Sequence, residues 1–538
     1  MTSRASPLAR EAALASGAAA SLAAALAWKA PPGADLAAHV YQRWVYVHHG
    51  FMLWNNFWYA GRYSFVTYSV IYYPLAALLG IRLLAVATIA AAALAFALLM
   101  GREFGPAARW SSRTFAVVWA GIVLSAAFPF ALGAALALFA LCALQARRRW
   151  RFAILAVLTA AASPVAFVLL AVVVAGIGAS RRVDRRLTLE VAGTLLAITA
   201  LELLLRRTFP GQGTYHFSLA ELAAACVFCA IGAGLTWNVE RARGLRLLFV
   251  VYGAACIVTF IVPSAIGENI ARLRFLAIPI AVLVLSLRSW RPRAVAVLVL
   301  VLAISWNVSP LAASFVKGRT DQTVHQAYWT PAISFLRAHN GPSFRVEAVD
   351  TTGHWPALYL ARAGIPLARG WFRQDDFPIN AVLYGKLGPQ AYLDWLHRLG
   401  VRYVVLTDAP PDYSARAEAA LLAGPRSPLR KVLSTPHVTI FEVPDPVPIV
   451  VGTGPARVVS LTQSRIALEL GSAGTYALAV RSSPYWQPSF GCISRTDDGM
   501  IQLRVPHPGR VMLKFDVDAG KALSALAGRP AEVCAAGK

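Results

Sequence analysis

Between about Glu11 and Ala313 the chain is a succession of apolar runs separated by short polar or basic breaks. From Phe315 onward, apolar and polar positions alternate over short stretches. The first pattern predicts helices that cross a membrane and the second an ordinary water-facing fold. Runs at about 11–28, 81–100, 187–205, 218–237, 247–263, 276–287 and 294–311 each read as one helix. The stretches 114–145 and 152–180 are too long for one helix and short for two, and are interrupted at Pro129 and at Ser163-Pro164. Reading each as a pair of short helices gives about eleven spans. An odd count sends everything after about residue 315 to the side opposite the N-terminus.

Residues 315–445 read as an α/β region. Strands are expected at 344–349, 401–407 and 438–443, and an amphipathic helix at 390–399. From 446 to 538, strands at 457–461, 466–469, 475–480, 501–505 and 511–517 alternate with Gly and Pro turns, the pattern of a small β-sandwich. The expected division is a helical domain of residues 1–314 with a large first external loop (29–73), an α/β domain 315–445 and a β domain 446–538. Ser483-Pro484-Tyr485-Trp486 reads either as an exposed aromatic platform or as a buried corner.

Composition supports the division. Of 538 residues, 57% are hydrophobic and 14% charged, where a soluble protein has about a quarter charged. The formal charge of +25 is placed as a membrane protein places it. Arginines cluster between apolar runs at 147–151, 181–186, 241–246 and 288–293, as cytoplasmic loops do under the positive-inside rule, and this argues against a nucleic-acid partner. Cys142, Cys226, Cys229 and Cys256 fall within apolar runs and read as small buried hydrophobes. Cys492 and Cys534 stand alone in the C-terminal region, and an isolated pair in an exported domain is expected to form a disulfide.

The segment 31–75 holds the densest chemistry. Pro31-Pro32-Gly33 ends the first helix and Asp35 opens another. Asp35, His39 and Arg43 recur every four residues and share a face, while Val40, Trp44 and Val47 make an apolar stripe, as in a helix lying on a membrane surface. Asp35 reads either as a helix cap or as a general base for an acceptor hydroxyl, with His39 beside it. Trp54, Trp58, Tyr59, Tyr68 and their aromatic neighbours read as an interfacial belt or as a surface for sugar rings. Further along, Glu268, Arg272 and Arg274, with Arg206 in a neighbouring outer loop, are candidates for binding a phosphate. In the C-terminal region the loop 368–380 crowds Trp371, Arg373 and Asp375 together, a composition suited to recognition.

Asp35-x-x-x-His39, Trp54-Asn55, Trp58-Tyr59-Ala60-Gly61 and Tyr73-Pro74-Leu75 together resemble the bacterial membrane proteins called 6-pyruvoyl-tetrahydropterin synthase-related. That group in turn resembles GT-C glycosyltransferases, and the run Arg369-Gly-Trp-Phe-Arg-Gln-Asp-Asp376 is similar to a segment of its actinobacterial members. The resemblance implies a bacterial plasma-membrane enzyme using a polyprenyl-phosphate-linked sugar and a glycan or lipid acceptor of the cell envelope, with Asp35 in the catalytic position. The loop has no Asp-x-Asp, so a requirement for a divalent cation, Mg or Mn, stays open. The competing readings are a non-enzymatic transporter or flippase, which many inverted-repeat folds serve, and a glycan-binding scaffold.

Overall fold

The computed structural model describes residues 6–180, 185–211, 213–377, 379–528 and 534. Arg181 and Arg182 of the second basic cluster lie outside them. The chain divides into two compact units, one of residues 1–36, 68–203 and 214–319, the other of residues 37–67, 204–213 and 320–538.

The first unit is helical. It contains α1 (Pro7–Lys29) and the opening residue of α2 (Leu36–His49), which otherwise belongs to the second unit. After it come α3 (Tyr72–Leu79), α4 (Ile81–Phe104), α5 (Arg109–Ala120), α6 (Phe128–Gln145), α7 (Arg149–Ala162), α8 (Pro164–Ser180) and α9 (Arg185–Thr208). The run closes with α10 (Leu219–Leu235), α11 (Arg243–Ile261), α12 (Ala277–Leu287) and α13 (Arg293–Thr320). Among the described residues, seven helical runs are long and apolar enough to cross a membrane, and Pro164–Ala179 and Leu219–Leu235 are shorter apolar helices. The molecule is therefore a multi-pass membrane protein.

Local chemistry explains the boundaries. Ser6 caps α1 by accepting from Ala9 N at 3.2 Å, with Pro7 in the first turn. The small buried residues Ala12, Ala15, Ala19 and Ala23 then line the α1 face that meets α4. The two long apolar stretches break between Leu124 and Phe128 and at Ser163, where Pro129 and Pro164 enter the first turn of the following helix. Ser218 caps α10 by accepting from Glu221 N, and its own N–H and hydroxyl go to the Glu268 carboxylate at 3.3 and 3.1 Å.

The second unit carries the strands. Trp54–Asn55 (β1) and Arg62–Tyr63 (β2) form a two-residue hairpin. A four-stranded sheet has the order β3-β4-β6-β5 (Arg345–Ala348, Val401–Thr407, Val438–Glu442, Arg430–Ser434), with β3 and β4 parallel and the rest antiparallel. Helices at Trp355–Arg362 and Pro389–Arg398 accompany it, and Tyr392, Trp395, Leu396, Val404 and Phe441 fill its core. Two further four-stranded sheets follow. Their orders are β12-β13-β10-β7 (Cys492–Arg495, Met500–Val505, Gly474–Arg481, Val450–Gly452) and β11-β14-β9-β8 (Trp486–Pro488, Gly509–Phe515, Arg465–Leu470, Ala456–Leu461), all antiparallel. Inward residues of both, among them Leu468, Tyr476, Leu503 and Leu513, enter one apolar core with Tyr485 and Trp486, so the Ser483–Trp486 run is a buried corner. Cys492 and Cys534 are joined by a disulfide, Cα–Cα 5.2 Å.

The chain is partitioned differently from the linear division expected of it. Residues 37–67 of the first loop group with the C-terminal region, because their aromatic rings need an apolar core and find it there. Trp54 stacks on Phe515 at 4.8 Å and meets Trp486 edge-on. Asn56 binds Thr462 O at 2.8 Å.

Candidate active site

Asp35 belongs to the helical unit and is held by its backbone. Between α5 and α6 the chain makes a corner through a short 3₁₀ turn, Gly121–Leu124. Ala126 there takes φ +56°, unusual for a residue with a Cβ. Asp35 N donates to Ser125 O at 3.3 Å, and Leu36 N to Gly33 O at 3.0 Å. Gly33 sits so close that a Cβ would lie 2.7 Å from both Ala126 N and Leu124 O. The Pro-Pro-Gly run read as a helix stop thus also lets the loop press onto this corner.

Arg272 reaches the same corner from Gly267–Leu276, a ten-residue 3₁₀ helix. Such runs are uncommon beyond three or four residues. Its guanidinium lies over the Phe130 ring, 5.0 Å from the centroid, at the start of α6. Tyr68, on the chain returning from the first loop, is within the field of both charges. Burial pushes its phenol well above the ordinary range, the Asp35 carboxylate adds to this, and Arg272 opposes it. The corner therefore gathers a carboxylate, a guanidinium and a phenol in one unit.

Three residues per turn put Arg272 and Arg274 on different rows of the 3₁₀ helix. Arg274 pairs with Glu221 at 3.1 Å, and Trp306 Nε1 donates to the same carboxylate oxygen at 2.9 Å. Glu268, a phosphate-binding candidate in the sequence, faces Ser218. Its carboxylate serves Ser218, standing in for the acid of a capping box. Ser218-x-x-Glu221 is the visible signal of that box, yet its own acid is diverted to Arg274. Arg206 is exposed and grouped with the other unit.

The remaining candidates lie in the second unit. His39 is buried, its ring 6.0 Å from that of Trp371. Trp54, Trp58 and Tyr59 are core residues rather than an open sugar platform. They are at most 2% exposed, Trp58 Nε1 donates to Ala357 O at 2.9 Å, and the Tyr59 hydroxyl donates to Phe372 O at 2.9 Å. On α2 the faces sort by burial: Ala38, Tyr41, Gln42 and Val45 are buried, and the stripe of Val40, Trp44 and Val47 is the more exposed.

Arg373 and Asp375 are internal struts rather than loop-tip contacts. Arg373 pairs with Asp350 and, at 2.9 Å, with Asp412, and Asp375 takes Arg62 Nε at 2.5 Å. Arg369 grips Asp376 with two bonds of 3.0 and 2.6 Å and donates to Ser414, while His354 Nδ1 meets Asp350 at 2.7 Å. Burial opposes the Asp350 charge, but His354 and Arg373 outweigh it and bring the carboxyl down to about 2. Asp376 and Asp412 are also lowered, chiefly by Arg369 and Arg373 working against burial.

Glu347 is the exception. It is fully buried, neither oxygen has a hydrogen-bond partner among the described residues, and burial, reinforced by Glu418, pushes its carboxyl well above the usual range. The folded protein holds it protonated at a pH where the unfolded chain ionises it, so stability is lost as pH rises above the unfolded value. Glu347→Gln is expected to raise the midpoint of thermal unfolding at pH 7 and to leave it unchanged near pH 4. An equal effect at both pH values would show that Glu347 is ionised in the folded protein.

Among the described residues no group of three or more His, Cys, Asp or Glu is arranged to hold a metal ion. No protein-family model and no curated protein matches the sequence. Among solved structures the chain is similar to the cryo-EM structure of the arabinofuranosyltransferase AftD from Mycobacteria. Identity is 16% and the TM-score 0.46, over 95% of this chain and 40% of that one. A mutant form of that enzyme gives 17% and 0.47, over 95% and 42%. The Archaeoglobus fulgidus oligosaccharyltransferase, tethered with an acceptor peptide, gives 13% and 0.43, over 73% and 68%. The chain spans about two-fifths of the length of the arabinofuranosyltransferase.

Proposed function

We propose that this protein is a GT-C-type membrane glycosyltransferase. It moves a sugar from a polyprenyl-phosphate carrier to a cell-envelope acceptor at the outer face of a bacterial plasma membrane. The observation that carries the reading is the corner between α5 and α6, which pins Asp35 by its backbone and also seats Arg272. Transfer breaks the bond from the anomeric carbon to the phosphate oxygen and forms one to an acceptor oxygen. Asp35 takes the acceptor's hydroxyl proton as that bond forms. Arg272 has no ion-pair partner among the described residues and neutralises the charge gathering on the departing phosphate. Arg274, already paired with Glu221, contributes fixed positive charge rather than a free fork. His39 follows Asp35 by one helical turn in the sequence and is the candidate to orient it.

The test is direct. Purified protein is offered a panel of polyprenyl-phosphate sugars with a glycan or lipid acceptor, with and without chelator. Release of polyprenyl phosphate with gain of one sugar on the acceptor is expected. If the whole panel yields no turnover while the protein moves the carrier across vesicles, the transporter reading prevails.

On our reading of eleven spans, the arginine-rich junctions α6–α7, α10–α11 and α12–α13 face the cytoplasm and residues after Thr320 lie outside. The Asp408 side chain is 52% exposed. A cysteine there, in a variant without the four free cysteines, is expected to react with an impermeant maleimide in intact cells. Labelling only after permeabilisation would reverse the orientation and remove the external active site.

A further inference from the structure

An apolar crevice of about 90 Å³, partly open, lies among α10, α11, α12 and α13 in the helical unit. Phe228, Leu235, Phe249, Val284, Leu302 and Trp306 are among its walls. It runs along α10 from Ala224 to Leu235, about 16 Å at 1.5 Å per residue. That matches the hydrocarbon depth of one leaflet, about 15 Å.

The end at Leu235 is where positive charge collects. Arg288 Nη1 donates to the carbonyl of Leu235 itself at 2.9 Å, and Arg246, one turn before Phe249, caps the carbonyls of Thr236 and Trp237. These two close the C-terminus of α10. Arg241, Arg243, Arg291 and Arg293 on the adjoining turns are exposed and make no ion pair among the described residues. Glu240 is the only acid in these two junctions. Trp237 and Trp290 are exposed beside them, Trp237 stacked with Arg246, as aromatic anchors at a headgroup boundary are.

We infer that this crevice is a binding site for an anionic phospholipid of the leaflet facing the arginine-bearing helix ends. One acyl chain lies against the crevice walls, and the phosphate headgroup sits among Arg291, Arg293 and their neighbours. The crevice gives affinity for a chain of any lipid, and the arginines select the headgroup charge. The site is separate from the α5–α6 corner and independent of the reaction proposed for it.

Native mass spectrometry of the full-length, delipidated protein tests this with phosphatidylglycerol and phosphatidylcholine as probes. Phosphatidylglycerol is expected to bind roughly tenfold tighter or more, at about 1 kcal/mol per basic residue near the headgroup. Arg291→Gln with Arg293→Gln should erase that preference while leaving phosphatidylcholine unchanged. Leu302→Trp, which fills the crevice from its lipid-facing side, should weaken both lipids. Equal binding of the two lipids to the unaltered protein overturns the inference, as does a preference that survives the double substitution. One-for-one displacement of phosphatidylglycerol by polyprenyl phosphate would assign the crevice to the carrier's chain and overturn it as well.

Discussion

Asp35→Asn leaves a folded protein that transfers sugar roughly 100-fold or more slowly, the loss expected when a positioned base is removed. The substitution isolates proton acceptance from everything else Asp35 does. Asn caps a helix about as well as Asp, so the start of α2 at Leu36 is preserved. The hold on the corner runs through the Asp35 N–H to Ser125 O, which no side-chain change touches. The rate at saturating substrate should fall with little change in KM, because the proton moves only in the transition state. If His39, one turn along, only orients the carboxylate, His39→Ala should cost less than Asp35→Asn. Full activity in a folded Asp35→Asn variant would falsify the assignment and leave the transporter or scaffold readings ahead.

Arg373→Met is expected to destabilise the second unit by about 3–5 kcal/mol, the usual cost of stranding buried charges. That is a large share of a stability of about 5–15 kcal/mol. Asp350 and Asp412 both lean on this guanidinium, and neither has water to fall back on. The loss should appear as a lowered unfolding midpoint and poor accumulation in the membrane. Arg373→Lys should recover only a fraction of it, because the ammonium is more strongly hydrated and costs more to bury than a guanidinium. Adding Asp412→Asn to Arg373→Met should restore a measurable share, since one stranded charge goes. A midpoint unchanged in Arg373→Met would show that the network is hydrated and not structural.

Which elements are legible in the sequence follows from their physics. The strands at Val401–Thr407, Arg465–Leu470 and Met500–Val505 alternate or run apolar because a core face demands it, and they lie within a residue or two of where the pattern puts them. Val450–Gly452 and Cys492–Arg495 escape the pattern. They are short outer strands of their sheet whose side chains are largely half-buried or exposed, so no burial periodicity marks them. Helix breaks near Pro129 and Pro164 are readable because proline cannot donate into the preceding turn.

The site is half legible. Asp35 announces itself by its place after Pro-Pro-Gly, and Arg272 by its charge beside an apolar run. That both meet at the α5–α6 corner depends on contacts spanning 90 positions for Asp35 with Ser125 and 142 for Arg272 with Phe130, which no local pattern encodes. For Arg373 and Asp375 polarity is a false sign of exposure. A loop rich in charge reads as solvated unless the partners, here Asp350, Asp412 and Arg62, are seen to converge on it.

The grouping of residues 37–67 with the C-terminal strands has a consequence in time. Asn56 binds Thr462, 406 positions further along the chain, and Trp54 stacks on Phe515, later still. At a synthesis rate of about 5–20 residues per second, the loop waits roughly 20–80 s for its partners to be made. Throughout that interval Trp54 and Tyr63 lack the C-terminal core they enter, while the helices that follow them are being inserted one after another. The loop completes its packing only once the strands that carry Thr462 and Phe515 have been made. A chain stalled before residue 450 carries the loop unfolded, as a ready substrate for proteases and chaperones.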